Sequence, residues 1–174
     1  MRFAFVARGR TPLILPMSFV KICGLICLVL VAYFITKAYA SFRRERWSEL
    51  EALHRVLLYM KEDIHVYQTF RPIPMREEFL PLTVLGFCGK GDIAGELLSV
   101  VSRMNLLAKE KNVFSESLAH LGEGSVESEK EKLDNLIDKV NHCLQIEEND
   151  GKKSVETVRI VLFTVALALV IIML

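Results

Sequence analysis

Apolar positions gather at the two ends of the chain and fall into a helical rhythm between them. Residues 22–42 carry one charge, Lys37, and residues 160–174 carry none, whereas charged side chains recur throughout 43–153. A stretch of roughly 20 apolar residues, rising about 1.5 Å each, crosses the hydrocarbon core of a bilayer. The first run meets that length as residues 18–42, with the Lys37 stem lying along the helix and its ammonium reaching the headgroups. The closing run alone makes only about 22 Å of helix. It reaches spanning length as residues 155–174, provided that Arg159 extends to the interface. The pattern predicts an anchor, a polar domain and a second anchor.

Within 43–153 the apolar spacing is three to four, as on one face of a helix. Trp47, Leu50, Leu53, Leu57, Met60, Ile64 and Tyr67 form the stripe of a first helix. Arg71, Pro72, Ile73 and Pro74 end it, because proline lacks an amide hydrogen and disfavours helical geometry in the residue before it. A shorter helix is expected over 75–87. After the turn CGKGD, Asp92 is placed to cap a helix over 93–109 that carries Leu97, Val100, Val101, Met104 and Leu107 inward. A brief helix over 113–121 leads to the break GEGS. Ser125 or Ser128 then starts a long helix with Val126, Leu133, Leu136, Ile137, Val140 and Leu144 inward, Ser128 and Glu131 having capping-box spacing. Asn149, Asp150 and Gly151 are expected to bend this helix toward the membrane. No segment of useful length alternates with the period of a strand. The expected fold is all-α, a helix-bundle domain over 43–153 flanked by an N-terminal and a C-terminal transmembrane helix.

Composition agrees with a membrane component: of 174 residues, 52% are hydrophobic, and the mean hydropathy is +0.32. A net charge of +1, from 22 basic and 21 acidic residues, gives no nucleic-acid footprint. The bases beside the two runs, Arg43, Arg44, Arg46, Lys152 and Lys153, place the domain in the cytoplasm by the positive-inside rule. Lys37 and Arg159 complete the membrane-flanking set. Residues 1–16 read as an extension that ends at Pro16 before a second methionine, Met17, either a misassigned start or a short basic tail. Two other readings of the first run compete. A cleaved signal peptide would use the small residues Ala38 and Ala40 before Ser41 and would export a C-terminally anchored domain, although Lys37, Arg43, Arg44 and Arg46 crowd the cleavage point. A buried helix of a soluble protein would have to account for two such spans with little polar face.

Candidate chemistry is sparse. GFCGKGD departs from a phosphate loop, since Val84 stands where glycine is needed and Gly91 where Ser or Thr must follow Lys90. Cys23 and Cys27 sit one turn apart in the first run, and Cys88 and Cys143 are isolated, so neither a CxxC motif nor a disulfide framework is present. His54 and His65 lie about 16 Å apart along one helix, too far to share a metal, and His120 and His142 read as surface residues. Glu127, Glu129 and Glu131 occupy the first turns of the long helix, where the macrodipole favours negative charge. No catalytic, metal or cofactor residues are assigned, and neither a nucleic acid nor a small-molecule substrate is expected. An unrelated membrane-anchored scaffold or sensor remains a reading of the same pattern.

The order of anchor, RRERWSELEALHRVLLYMKEDIHVYQT, short helices, LGEGSVESEKEKLDNLIDKVNHCLQIEENDGKKS and terminal anchor resembles the stage III sporulation protein AB family. The resemblance covers nearly everything after Met17. Its most specific elements are the juncture at Arg43 and Arg44, the stretch EDIHVYQT, and the Leu121–Gly122 break before a long helix that ends at Lys152 and Lys153. In the family that helix begins with a Ser-Asp pair and continues through a Glu-Gln step; Ser125 matches, whereas Val126 and Lys130 depart. The resemblance implies a part of the channel built in the mother-cell membrane around the forespore, with a domain similar to the helical platform domains of type II secretion and type IV pilus systems. It also implies partners, namely the membrane, other stage III sporulation proteins and a secretion-type ATPase. The partner contacts are expected at Gly122, Gly124, Ser125, Glu127 and Glu129, where exposed backbone and carboxylates lie together. Reversing the charge of Glu127 and Glu129 is expected to leave the fold intact.

Overall fold

A computed structural model describes residues 17–67, 71–122 and 124–173; the extension 1–16 lies outside them. The described chain is all-α. Helix α1 covers Met17–Tyr67, a 3-10 turn Glu77–Phe79 leads into α2 (Leu80–Val84), and α3 (Ile93–Arg103), α4 (Ala108–Ala119) and α5 (Val126–Met173) follow. The chain divides into two compact units, Met1–Thr36 with Val158–Leu174, and Lys37–Thr157. Both α1 and α5 contribute to each unit.

In the first unit, the two buried apolar residues among the described ones are alanines, and many large side chains lie outside. Ala32 and Ala166 are 5% and 7% exposed, whereas Phe34, Leu167 and Ile171 are 62%, 62% and 66% exposed. Each such side chain would gain about 1.5–3 kcal/mol on burial, so this surface is apolar enough to take a cover. The stretch Ile26–Ile64 of α1 is long and apolar enough to cross a membrane, and 6% of its most apolar window is buried. Among the described residues no second helix meets that criterion, so the membrane-crossing pattern expected at both ends is shown at the N-terminal one.

The second unit has one hydrophobic core. Leu50, Leu53, Leu57, Met60 and Ile64 of α1 pack in one cluster with Leu97, Val100 and Val101 of α3, Phe114 and Leu118 of α4, and Leu133, Leu136 and Val140 of α5. Phe79, Leu82 and Phe87 bring the α2 region into the same cluster. The stripe was expected to begin at Trp47, but that ring is 40% exposed, and Arg46 occupies the buried position instead. Leu107, expected inward, is 59% exposed, while Tyr67 has its side chain outside the described residues.

Helix ends follow local chemistry where a capping residue is present and tertiary contacts elsewhere. Asp92 caps α3 as expected, accepting from the Gly95 amide at 3.1 Å. The helix expected over 75–87 is shorter, because Leu85 and Gly86 close a turn in which Gly86 has φ +103°. The helix expected over 93–109 stops at Arg103, since Met104 turns extended and Glu49 of α1 takes the Asn105 amide at 2.7 Å. Glu110 accepts from the Leu107 amide at 2.9 Å and starts α4 earlier than its apolar pattern suggested. The chain does not break at residues 149–151, where a bend was expected; α5 runs through them as helix. Gly151 faces α1, where an added Cβ would meet Arg43 Nη2 at 3.6 Å, and the cost of a helical glycine, about 1 kcal/mol, is overridden by packing.

Candidate partner-binding surface

The break between α4 and α5 is built around one carboxylate. Gly122 takes φ +92°, and its amide donates to Glu129 Oε2 at 2.8 Å while the Gly124 amide donates to Oε1 at 2.9 Å. Lys132 adds Nζ at 2.8 Å from Oε1 and also donates to the His120 carbonyl at 2.6 Å. Glu129 is therefore buried, at 5% exposure, rather than a solvent-facing carboxylate. Burial raises its pKa, and the hydrogen bonds from Lys132, Gly122 and Gly124 outweigh that effect, so the group lies below its ordinary value. A Cβ on Gly124 would come within 2.9 Å of Glu129 Oε1, which explains a glycine there. Ser125 Oγ accepts weakly from the Ser128 amide at 3.4 Å, so Ser125 is the cap. Glu127 is exposed on the first turn of α5.

A cleft of about 390 Å³ joins this break to the other glycine turn. Its wall includes Gly91, Asp92 and Ile93 on one side, Leu121, Gly122, Gly124 and Glu129 on the other, and Ile64 of α1. Sequence reasoning found the two turns but not their meeting, because about thirty residues of helix and loop separate them. The turn CGKGD has its amides filled from within: Cys88 and Gly89 donate to Glu96 Oε2 at 3.0 and 2.7 Å. Those are the donors that a phosphate would need, so the structure supports the reading as a glycine turn.

The residues expected to flank the membrane separate into two kinds. Lys37, Arg44, Lys153 and Arg159 are exposed, Arg159 standing over the Phe163 ring at 6.0 Å, and the Lys152 side chain lies outside the described residues. Arg43 and Arg46 instead point into the second unit. Arg43 Nη1 donates to Glu147 Oε1 at 3.1 Å, and Arg46 Nη2 donates to both oxygens of Glu110 at 2.8 and 2.9 Å. Arg46 Nε is 3.0 Å from Glu147 Oε1, close enough for charge attraction but not aligned for a hydrogen bond. Both Nε groups are buried without an acceptor. The sequence pattern places these two bases among the membrane-flanking residues; their partners, Glu110 and Glu147, give no local signal.

No protein-family model, curated protein or solved structure matches this chain. Function therefore rests on the chain's own residues and the resemblance they carry.

The remaining polar groups do not converge. Among the described residues no three metal-ligating side chains come together. Cys23, Cys27 and Cys88 are exposed free thiols, and Cys143 is half-buried beside Glu110. Burial, reinforced by the Glu110 charge, pushes the Cys143 thiol up to about 11. Such a thiol is a poor nucleophile. His120 and His142 are exposed, His54 is half-buried, and the His65 side chain lies outside the described residues. The arrangement can bind through a cleft and exposed charges.

Proposed function

We propose that this protein is a membrane-anchored, non-catalytic coupling component of the sporulation channel between mother cell and forespore. The observation that carries the reading is the composition of α1 and α5. Each joins an apolar segment with outward-facing large side chains to a segment packed in a polar-surfaced bundle. In this reading residues 155–174 form a second anchor, covered by lipid around Ile160, Phe163 and Leu167, which are 59%, 43% and 62% exposed. The bundle lies in the cytoplasm. There it receives a secretion-type ATPase at the cleft between the glycine turns, with exposed Glu127 on the rim side of the break.

Two measurements on one strain test it. An impermeant thiol reagent applied to intact cells should leave the exposed Cys88 unlabelled, and the mature chain should retain residues 17–40. Labelling of Cys88, or an N-terminus at Ser41, would favour an exported domain after signal cleavage. Glu127→Lys should weaken co-purification of the ATPase while the melting temperature stays within a few degrees of the parent, because a surface change at a helix start costs at most about 0.5–1 kcal/mol. Unchanged capture would remove the surface, and ATP hydrolysis by the purified chain would remove the coupling role.

A further inference from the structure

The buried charges of α1 and α5 occupy the same positions as the leucines. On α1, Arg43, Leu50, Leu57 and Ile64 follow one another at intervals of seven, and so do Arg46, Leu53 and Met60. On α5, Glu147, Val140 and Leu133 repeat at the same interval. The two helices run antiparallel here, with Tyr39 bonded to Ser154, Arg43 to Glu147, and Lys61 paired with Asp134. A seam of this period is nearly self-similar. Sliding one helix by seven residues, about 10 Å, again sets apolar side chains opposite apolar side chains.

We propose that Arg43, Arg46, Glu110 and Glu147 form a register lock, which selects one axial setting of α1 against α4 and α5 without adding net stability. In a shifted register Arg43 and Arg46 would face Val140 or the end of the seam, and Glu147 would lose both partners. Buried charges without partners are strongly disfavoured, whereas the same charges correctly paired are no better than a well-packed apolar layer. The two unsatisfied Nε groups mark that poor return: the cluster is an inefficient stabiliser but a sharp discriminator. Glu110 extends the selection to α4, because the carboxylate held by Arg46 is also the one that accepts the Leu107 amide at the start of that helix. This inference does not depend on the coupling role.

The test uses the full chain in lipid nanodiscs, with Cys23, Cys27, Cys88 and Cys143 replaced and spin labels at Glu62→Cys and Glu131→Cys, both exposed positions. The parent should give one narrow distance. The quadruple variant Arg43→Leu, Arg46→Leu, Glu110→Leu, Glu147→Leu should melt at or above the parent temperature yet show a broadened distance or a second population. Glu147→Gln, which keeps the size and removes the charge, should also broaden the distribution. A single parental distance in both variants would overturn the lock. So would a quadruple variant that is helical but no longer melts cooperatively, since the charges would then be needed for stability itself.

Discussion

The same two helices obey opposite rules in the two units. In the unit of Lys37–Thr157, Leu50, Leu53 and Leu57 are at most 1% exposed, and most charged residues lie outside, with Arg46, Glu49, Asp63, Glu129 and Glu147 as the buried ones. In the other unit, Phe34 and Ile171 face outward and Ala32 and Ala166 face inward. Helix geometry is common to both; the difference lies in which side chains each unit covers. Against water, burial of large apolar groups drives packing; under the anchor reading proposed above, the other unit meets lipid, where close approach of small residues drives it.

The sharpest way to break this comparison is to shorten one large apolar side chain in each unit. Leu57→Ala or Leu136→Ala should cost about 2–5 kcal/mol of bundle stability, because each leaves a cavity in a closed core. Phe34→Ala, made at an exposed apolar position, should leave bundle unfolding within about 0.5 kcal/mol of the parent. Urea unfolding followed by circular dichroism at 222 nm reads both. Equal losses would show that the two units share one kind of core.

A smaller effect sharpens the polar side of the comparison. Glu129→Gln removes the charge that two glycine amides and Lys132 were built to meet, and should cost about 1–3 kcal/mol near neutral pH. Because the folded pKa lies below the ordinary 4.5, the contribution is present above that value and disappears as the pH falls through the lowered one. The melting gap between parent and variant should therefore be full at neutral pH and close in acid. A gap that is constant with pH would assign the loss to shape. Charge reversal at this position, expected from sequence to spare the fold, should instead unfold the break.

The smallest effect is one of rate. Cys143 should react with iodoacetamide more slowly than exposed Cys88 at pH 8, and its rate should climb as the pH approaches about 11. Raised from its ordinary 9.0, the thiol contributes stability below that value and loses it as the pH rises through the folded one. Equal rates at pH 8 would mean that the region around Glu110 is open.

Carboxylates explain most of what was hidden in the sequence. Glu49 holds Asn105, Asp63 holds the Arg71 amide, Glu96 holds Cys88 and Gly89, and Glu129 holds Gly122 and Gly124. Each side chain lies on a helix and fixes a chain break. From sequence alone, Glu49 and Asp63 are ordinary helix-surface residues, and Glu129 is one acid among three at a helix start. The candidate surface was legible as a place, the GEGS break, but its second wall at residues 91–93 was not.

Sequence by itself determined the all-helical pattern, the apolar run of α1, the inward positions Leu50 to Ile64 and Leu133 to Val140, and the Asp92 cap. These follow from repeats of three and four residues and from a hydrogen bond three residues long, and both are local. Tertiary structure alone decided that α3 stops at Arg103, that α5 runs unbroken past Gly151, and that Trp47 faces out while Arg46 faces in. Those outcomes depend on partners far along the chain: Arg43 meets a residue 104 positions away, Arg46 one 64 away, and Asn105 one 56 away. A buried charge is stable only where its counter-charge arrives, and no local pattern records which distant helix will bring it.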